Sequence, residues 1–356
     1  MSDTPGIANR KALHIEACLS EQSRSGRSNG LDRYRFDHQA LPELDYAKVE
    51  TSTRFLGKDL WAPLMISPMT GGTQAAATIN ENLARAAQER RIVMGVGSQR
   101  AALEHEELRR TFEIRRLAPD AVLFANLGAV QLNKGMGVSE CTEAVKMIEA
   151  DALFLHLNPL QEVLQDGGDT DFSGLLRKVE RVCRELDVPV FAREVSSGIS
   201  SQMAHALLNA GVTGIDVGGV GGTSWAKVEG MISENAQTRA LSELFADWGH
   251  DVAESLLSVR EISRTCPLIA SGGIRDGLAA AKAIALGADL ASIAGGFLQA
   301  GLESVEAVIE VIDTLREALR ITLFCTGLGT VANLQGHFLE GQITQTPDGK
   351  VVKLRA

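Results

Sequence analysis

The chain has 356 residues, with 35 lysines and arginines against 45 aspartates and glutamates, so its formal net charge is −10. An acidic chain with only 4% aromatic residues argues against nucleic acid or an anionic membrane surface as the main partner. Its five cysteines are far apart and odd in number, which is typical of a reduced, cytoplasmic protein, and we expect neither a signal peptide nor a membrane span.

From Trp61 onward, eight short apolar runs alternate with longer amphipathic stretches. The runs predict strands at 62–67, 92–97, 121–126, 152–158, 188–193, 214–219, 267–273 and 290–296. The stretches predict helices near 75–90, 104–117, 138–149, 173–186, 200–210, 251–264, 276–286 and 302–319. Strands that alternate with helices favour a parallel sheet, and eight units predict a single closed (β/α)8 TIM barrel, with an open doubly wound sheet as the alternative.

Two regions lie outside this repeat. We expect residues 1–60 to be an extension that covers the substrate, residues 61–320 to be the barrel, and residues 321–356 to pack on the barrel or extend from it. An insertion at 223–250 separates the sixth strand from its helix. The polar segment 21–32 predicts a mobile loop.

Glycine pairs follow the last two predicted strands, at 272–273 and 295–296. In a barrel these turns lie at the mouth, where backbone N–H groups at helix N-termini bind phosphate. Arg275 would add a guanidinium to such a site. The alternative is that the glycines only permit tight turns.

The glycine-rich stretch after the sixth strand carries Thr223, Trp225 and Glu229. It lacks the Gly-Lys-Ser/Thr of a triphosphate-binding loop, and no dinucleotide fingerprint stands between strand and helix. Trp225 is alternatively a core residue, and Glu229 a solvated residue of a helix.

The stretch HLNPLQE after the fourth strand contributes His156, Asn158, Gln161 and Glu162. It contains no ligand set for a transition metal, but a lone carboxylate together with substrate phosphates often holds Mg²⁺. Glu162 is therefore the metal candidate, and the start of a helix after Pro159 is the alternative.

Three cationic or titratable residues, Arg10, Lys11 and His14, precede the barrel on the predicted first turns of a helix. Their spacing places them on one helical face, which suits a polyanion. A solvated basic face is the alternative.

Taken together, these motifs resemble the FMN-dependent type 2 isopentenyl diphosphate isomerases. The resemblance covers nearly the whole chain and runs through RKALHIEACL, SPMTGG, GVGSQR, NLGA, HLNPLQE, GDTDF, GGTSW, SGGIRDG and AGGFLQA. The specific part is HLNPLQE with GDTDF, in register with the N-terminal RK-x-x-H. The glycine-rich turns are not specific.

The resemblance implies a barrel that binds FMN at its mouth, with an allylic diphosphate substrate and Mg²⁺ beside the flavin. The reaction it implies interconverts isopentenyl diphosphate and dimethylallyl diphosphate in isoprenoid biosynthesis. Reduced FMN serves as an acid–base cofactor, and NADPH is the reductant. The family also implies a cytoplasmic homo-oligomer, from a dimer to an octamer.

The resemblance further implies roles for individual residues. Matched to FMN contacts are Met69, Thr70, Gly71, Ser98, Asn126, Arg193, Thr223, Gly273, Arg275, Ala294 and Gly295. Matched to substrate contacts are Arg10, Lys11, His14, Arg100, His156, Asn158 and Gln161, with Glu162 as the Mg²⁺ ligand. The catalytic candidates are Gln161, Glu229, Trp225 and His156. Gln161 and Glu229 would relay protons to or from the substrate. Protonation of an alkene creates a carbocation, which the carboxylate of Glu229 or the π face of Trp225 would stabilise.

The chain departs from the family pattern at the end of the fifth strand. Where the family typically reads V-K-E-V-G-F-G, this chain has Arg193 for the lysine and Ser196-Ser197 for Gly-Phe. Arg193 keeps a positive charge beside an anionic flavin, but its planar head differs from a compact ammonium. A relative with shifted or weakened activity is therefore one alternative.

Two further classes of function, another FMN-dependent oxidoreductase and a sensor, compete with the isomerase. A 2-hydroxy acid oxidase would need a His-Gly-Gly-type loop where this chain has GGVGGTSW, and a nucleotide dehydrogenase would need a cysteine at a strand mouth. A barrel that senses flavin or phosphate is the non-enzymatic alternative. Such a sensor has no use for the RK-x-x-H and HLNPLQE motifs.

Overall fold

The structure is a computed structural model that describes residues 4–337, 343–345 and 351–353. Most of the predicted C-terminal segment beyond residue 337 lies outside the described residues. The strands are β1 (Thr53–Phe55), β2 (Lys58–Leu60), β3 (Leu64–Ile66), β4 (Val93–Gly95), β5 (Leu123–Gly128), β6 (Ala152–Leu157), β7 (Val190–Glu194), β8 (Gly214–Asp216), β9 (Leu268–Ser271), β10 (Leu290–Ile293), β11 (Ile343–Gln345) and β12 (Val351–Lys353).

Strands β3 to β10 form a closed parallel barrel, because each pairs with the next along the chain and β10 returns to β3. This confirms the predicted (β/α)8 barrel and excludes the open sheet. Strands β1 and β2 form a separate antiparallel hairpin, and β11 pairs antiparallel with β12.

The helices are α1 (Thr4–Leu19), α2 (Gln74–Arg90), α3 (Arg100–Glu104), α4 (Val138–Met147), α5 (Pro159–Leu164), α6 (Leu175–Glu185), α7 (Ser201–Asn209), α8 (Trp225–Ile232), α9 (Ala236–Leu244), α10 (Val252–Ile262), α11 (Gly277–Ala285), α12 (Gly295–Glu303) and α13 (Val305–Cys325). Side-chain caps begin several of them. Thr73 accepts from the backbone of α2, and Asp251 forms a capping box with Glu254 at the start of α10. No helix among these described segments is both long and apolar enough to cross a membrane.

Two helix predictions are wrong in detail. The predicted helix at 104–117 ends at Glu104 and continues as two 3-10 segments, Glu106–Thr111 and Arg115–Leu117. Phe112 and Ile114 are both buried there, and residues two apart cannot share one face of an α-helix. The predicted helix at 302–319 belongs to two helices, α12 and α13, which are separated by the extended backbone of Ser304.

The barrel interior is filled by aromatic side chains. The rings of Phe124 and Phe154 stack at 4.3 Å between centroids, and Phe191 meets Phe124 edge-to-face at 5.0 Å. Phe55 from the β1–β2 hairpin packs against Phe124 and Phe191 and closes the amino-terminal end of the barrel. The interior is therefore a solid core below the mouth, which the carboxyl-terminal strand ends form.

Residues 4–33, which we call the arm, pack on the insertion that contains α8 and α9. The segment predicted as a mobile loop is held by hydrogen bonds. The backbone of Ser25 donates to Gly222 O at 2.9 Å, and one Asp247 oxygen accepts from Ser25 Oγ and Gly26 N, both at 2.7 Å. The polar groups of this segment, from which we predicted a mobile loop, instead form hydrogen bonds with polar groups of the insertion.

Candidate active site

A layer of polar side chains covers the aromatic core of the barrel. Side chains alternate between the two faces of a strand. Phe124, Phe154 and Phe191 face the barrel interior, so the residue two positions after each of them faces it as well, but nearer the mouth. We call this set the polar layer, and its members are Ser67, Asn126, His156, Arg193, Asp216, Ser271 and Ser292. It forms the floor of the candidate site.

Arg193 and Asp216 form a buried ion pair in the polar layer. They are paired across β7 and β8, one Arg193 Nη atom contacts the carboxylate, and the other donates to Ser67 Oγ at 2.9 Å. Ser271 Oγ donates to the second Asp216 oxygen. Burial raises the pKa of Asp216, and Arg193 opposes that shift. Arg193 thus reaches the predicted cofactor region, but Asp216 balances its charge.

His156 is also part of the floor. Its Nδ1 lies 2.9 Å from Asn126 Oδ1. Burial, together with the charges of Arg193 and Arg100, lowers the pKa of His156 to about 4. The imidazole is therefore neutral at pH 7.

Glu229 lies above the floor, on α8, and is only 1% exposed. Its Oε1 accepts from Gln161 Nε2 at 2.8 Å and lies 3.2 Å from His14 Nε2, and its Oε2 lies 3.3 Å from Arg10 Nη2. Burial alone would raise the pKa of Glu229, but His14, Gln161 and Arg10 outweigh it and lower the pKa. Glu229 is therefore a buried, ionised carboxylate, and its alternative as a solvated helix residue is wrong.

The arm completes this part of the site. Arg10, Lys11 and His14 lie in the middle of α1 rather than in its predicted first turns. The half-buried ring of Trp225 meets the His14 ring edge-to-face at 5.3 Å. A cavity of about 150 Å³ lies beside Glu229 and Arg10.

Lys11 and Arg100 bring positive charge to the other side of the mouth. Lys11 Nζ donates to Gly71 O, and Arg100 Nη1 lies 3.2 Å from Asp169 Oδ2. Burial, and then repulsion from Arg100, lowers the pKa of Lys11 to about 8.

Glu162, the predicted metal ligand, is buried in the first turn of α5. Its Oε1 accepts from Asn158 Nδ2 at 2.9 Å, and its Oε2 accepts from the backbone of Asp169 at 2.7 Å. Asn158 Oδ1 is buried beside it and has no hydrogen-bond partner within the described part of the chain. The Glu162 carboxylate is therefore available to a cation, with Asn158 Oδ1 beside it. Among the described residues, no group of three or more His, Cys, Asp and Glu could hold a metal, so substrate oxygens would have to complete the shell.

The predicted phosphate site combines two turns. Gly273 has φ 68°, and a Cβ atom on it would lie 2.0 Å from Gly221 O, so the close approach of these turns requires glycine. Ala294 caps α12 without a side-chain hydrogen bond, and a Cβ on Gly295 would meet nothing within 4 Å. The first N–H groups of α12 therefore face open space.

The rest of this region also fits a phosphate-bearing flavin. Ser292 Oγ, in the floor, is buried and has no partner among the residues that the structure describes. Arg275 is exposed, and its Nη2 lies 3.4 Å from Gly221 O. It lies beside the turns rather than inside the floor.

The other predicted cofactor residues occupy the loops around the floor. Thr70 is buried, and its carbonyl accepts from Gly97 N at 3.1 Å. A Cβ on Gly71 would lie 2.0 Å from the ring of Phe112. Thr223 forms a β-bridge with Arg24 of the arm. The half-buried residues Met69 and Ser98 follow β3 and β4.

Sequence reasoning missed several polar residues of the site, namely Ser67, Gln99, Asp169, Asp216, Ser271 and Ser292. The available signal for the serines and Asp216 was their position two residues after an inward-facing strand residue. Cys18 also lies near Glu229. Burial and Glu229 raise the pKa of its thiol to about 12, so it stays protonated and is no nucleophile.

Comparison with known proteins identifies the family. The model of the FMN-dependent dehydrogenase family matches residues 13–121 and 136–341. An isopentenyl-diphosphate delta-isomerase of a Nostoc species is 53% identical over 335 residues, which are 94% of this chain and 96% of that protein. The corresponding enzyme of a Synechococcus species is 52% identical over 330 residues, covering 92% and 95% of the two chains.

Solved structures of lower identity show the same fold. A flavocytochrome b2 variant with bound pyruvate superposes with a TM-score of 0.65 at 17% identity, covering 94% of this chain and 84% of that one. A mandelate oxidase variant gives 0.63 at 17% identity, covering 95% and 98%. The chain therefore belongs to the FMN-dependent dehydrogenase family and, within it, to the isopentenyl-diphosphate delta-isomerases, which confirms the resemblance seen in its motifs.

Proposed function

We propose that this protein interconverts isopentenyl diphosphate and dimethylallyl diphosphate with FMN as its cofactor. Family membership supports the proposal, and one structural observation carries it. That observation is the buried, ionised carboxylate of Glu229, held by Gln161 and by two cationic or titratable residues of the arm, Arg10 and His14. Such a group is suited to positive charge that develops on the hydrocarbon part of the substrate.

The FMN phosphate would be held by the open N–H groups of α12 at Gly295 and by the turn at Gly273. The ring would lie on the polar layer, where Ser292 Oγ lacks a partner among the described residues. Bound in its reduced form, FMN supplies acid–base chemistry to the substrate.

The diphosphate needs several positive charges. Arg10, Lys11 and Arg100 surround the mouth and would supply three of them. We propose that Mg²⁺ supplies the rest, bound by Glu162 and substrate oxygens, since Mg²⁺ is commonly held by one carboxylate and phosphates.

Moving the double bond adds a proton at one carbon and removes a proton from another, so the reaction is redox-neutral. The intermediate cation requires a negative group and the absence of water. Glu229 provides that charge, and Gln161 Nε2 orients the carboxylate through a 2.8 Å hydrogen bond. Trp225 lies one turn before Glu229 on α8 and packs on His14, which in turn lies 3.2 Å from Glu229. His156 is neutral and remains a polar contact in the floor.

We further propose NADPH as the reductant, a cytoplasmic location and a homo-oligomeric assembly. All five cysteines are free, which is typical of a reducing compartment. Leu244 and Trp248 of the insertion are 74% and 61% exposed, and apolar side chains of this kind suit a contact between subunits.

The decisive experiment is an anaerobic incubation of the purified protein with FMN, Mg²⁺, NADPH and isopentenyl diphosphate, followed by detection of dimethylallyl diphosphate. Glu229→Gln should lower kcat by about 10²–10³-fold, the range for loss of one group that stabilises charge developing in the transition state. Glu234→Gln, at an exposed position in the same insertion, is the matched control and should retain activity. Bound, reduced FMN without product would refute the isomerase, and oxidation of mandelate or lactate would identify an oxidase instead.

A further inference from the structure

The ring of His156 is held by an amide whose own orientation is fixed. Asn126 Nδ2 donates to Val96 O at 3.0 Å, so the amide oxygen is the atom that faces His156 Nδ1, at 2.9 Å. The flipped amide would place two oxygens, those of Asn126 and Val96, against each other. His156 Nδ1 must therefore carry the proton, because an amide oxygen only accepts.

Gln99 fixes the position of Asn126 in turn. Gln99 Oε1 accepts from Asn126 N at 2.9 Å, and the backbone of Gln99 donates to Asn126 O at the same distance. Gln99 Nε2 donates to Ala144 O at 2.8 Å, which orients this amide as well. Gln99 is fully buried and Asn126 is 5% exposed, so solvent does not compete with these bonds.

We infer that Asn126, supported by Gln99, is a positioning residue that holds His156 as the neutral Nδ1–H tautomer, so that Nε2 accepts a hydrogen bond from an N–H or O–H donor of the bound cofactor. This inference rests on the proposed function for the identity of the ligand, but not for the tautomer. Charges near the ring agree with it. Arg193 and Arg100 both disfavour a second proton, as does burial.

Gly128 adjoins the other ring nitrogen and brings no side chain to it. A Cβ atom on Gly128 would lie only 3.0 Å from His156 Nε2, so glycine at this position keeps the edge of the ring clear. An ionised diphosphate oxygen is itself an acceptor and would be repelled by the lone pair of Nε2. His156 is thus not a cationic anchor for the diphosphate, and the anchoring charge comes from Arg10, Lys11 and Arg100.

The test is ¹⁵N NMR of the FMN-bound protein labelled at histidine, with His156 assigned by the signals that His156→Gln removes. We expect one tautomer at neutral pH, with a protonated Nδ1 and an unprotonated Nε2. Addition of inorganic pyrophosphate and Mg²⁺ should leave Nε2 unprotonated. An Nε2–H tautomer in the native protein, or a doubly protonated ring in either state, would overturn the inference.

Two variants separate positioning from a general structural role. Asn126→Ala should replace the single tautomer by a mixture. Asn209→Ala is the matched control, because Asn209 Nδ2 lies 2.9 Å from Nε2 of the exposed His205, and it should leave the His156 signals unchanged. A single Nδ1–H tautomer that persists in Asn126→Ala would overturn the role of Asn126. If that variant does not fold, the native spectrum still decides the tautomer. The measurement needs no turnover, so its failure is distinct from failure of the isomerase assay.

Discussion

Removal of Asp216 should destabilise the protein because it leaves Arg193 buried without its partner. Asp216 is fully buried and Arg193 is 8% exposed, so water can hydrate the freed guanidinium only slightly. Breaking a buried ion pair from one side costs about 3–5 kcal/mol. Ser67 Oγ would keep its 2.9 Å hydrogen bond to Arg193, which places Asp216→Leu near the lower end, at about 3 kcal/mol.

A double-mutant cycle tests whether the pair itself is responsible. Arg193→Met together with Asp216→Leu replaces the pair by apolar side chains, which is often nearly neutral, so the double variant should be more stable than Asp216→Leu alone. Ser271→Ala removes the hydrogen bond to Asp216 and the one that Ser271 Oγ accepts from Gly218 N at 3.1 Å, and it should cost about 1–3 kcal/mol.

The assay is urea unfolding of the FMN-free protein, so that cofactor affinity does not enter the measured stability. The urea midpoints of the variants can be compared directly if the slope of the unfolding free energy against urea concentration is the same for all of them. A loss below about 1 kcal/mol for Asp216→Leu, or a double variant that costs the sum of the two single changes, would refute the reasoning.

Three further predictions concern ligands. Because the pKa of Lys11 is about 8, its charge is lost as the pH rises through that value, so KM for isopentenyl diphosphate should increase there and Lys11→Arg should flatten the increase; identical pH profiles for both proteins would contradict this. Glu162→Gln should raise KM for isopentenyl diphosphate in an Mg²⁺-dependent manner and leave the spectrum of the bound flavin unchanged. Glu180→Gln, on the exposed face of α6, is the control and should change neither KM nor the spectrum. Loss of flavin from Glu162→Gln would show that Glu162 is wrongly assigned to the metal. Gly273→Ala places a Cβ atom 2.0 Å from Gly221 O and should weaken FMN binding tenfold or more, which is about 1.4 kcal/mol. Gly329→Ala, where a Cβ meets nothing within 4 Å, is the control. If fluorescence titration gave Gly273→Ala the FMN affinity of the native protein, the result would argue against the phosphate site.

The barrel could be predicted from sequence because its signals are local. Each strand is a short apolar run, and the glycine pairs that end β9 and β10 are visible without knowledge of their neighbours. The 3-10 segments after Glu104 were not predictable in this way, since the burial of Phe112 depends on its contact with Gly71 at another strand end.

The polar layer shows more clearly that contacts between distant residues cannot be predicted from local sequence patterns. Arg193 was found through a family motif, but its partners Ser67 and Asp216 lie 126 and 23 residues away and meet it only when the barrel closes. Glu229 was identified as a candidate, yet its ionisation depends on the arm. Its contact with Arg10 joins residues 219 apart, which no local pattern specifies.

The pairing of the arm with the insertion fixes an order of assembly during synthesis. The arm leaves the ribosome before the insertion, so Ser25 must wait 222 residues for Asp247, and Arg10 must wait 219 residues for Glu229. Until then, the face of α1 that packs on α8 has nothing to cover it. The arm is thus made long before it can dock on the insertion, and by then six of the eight barrel strands have been made.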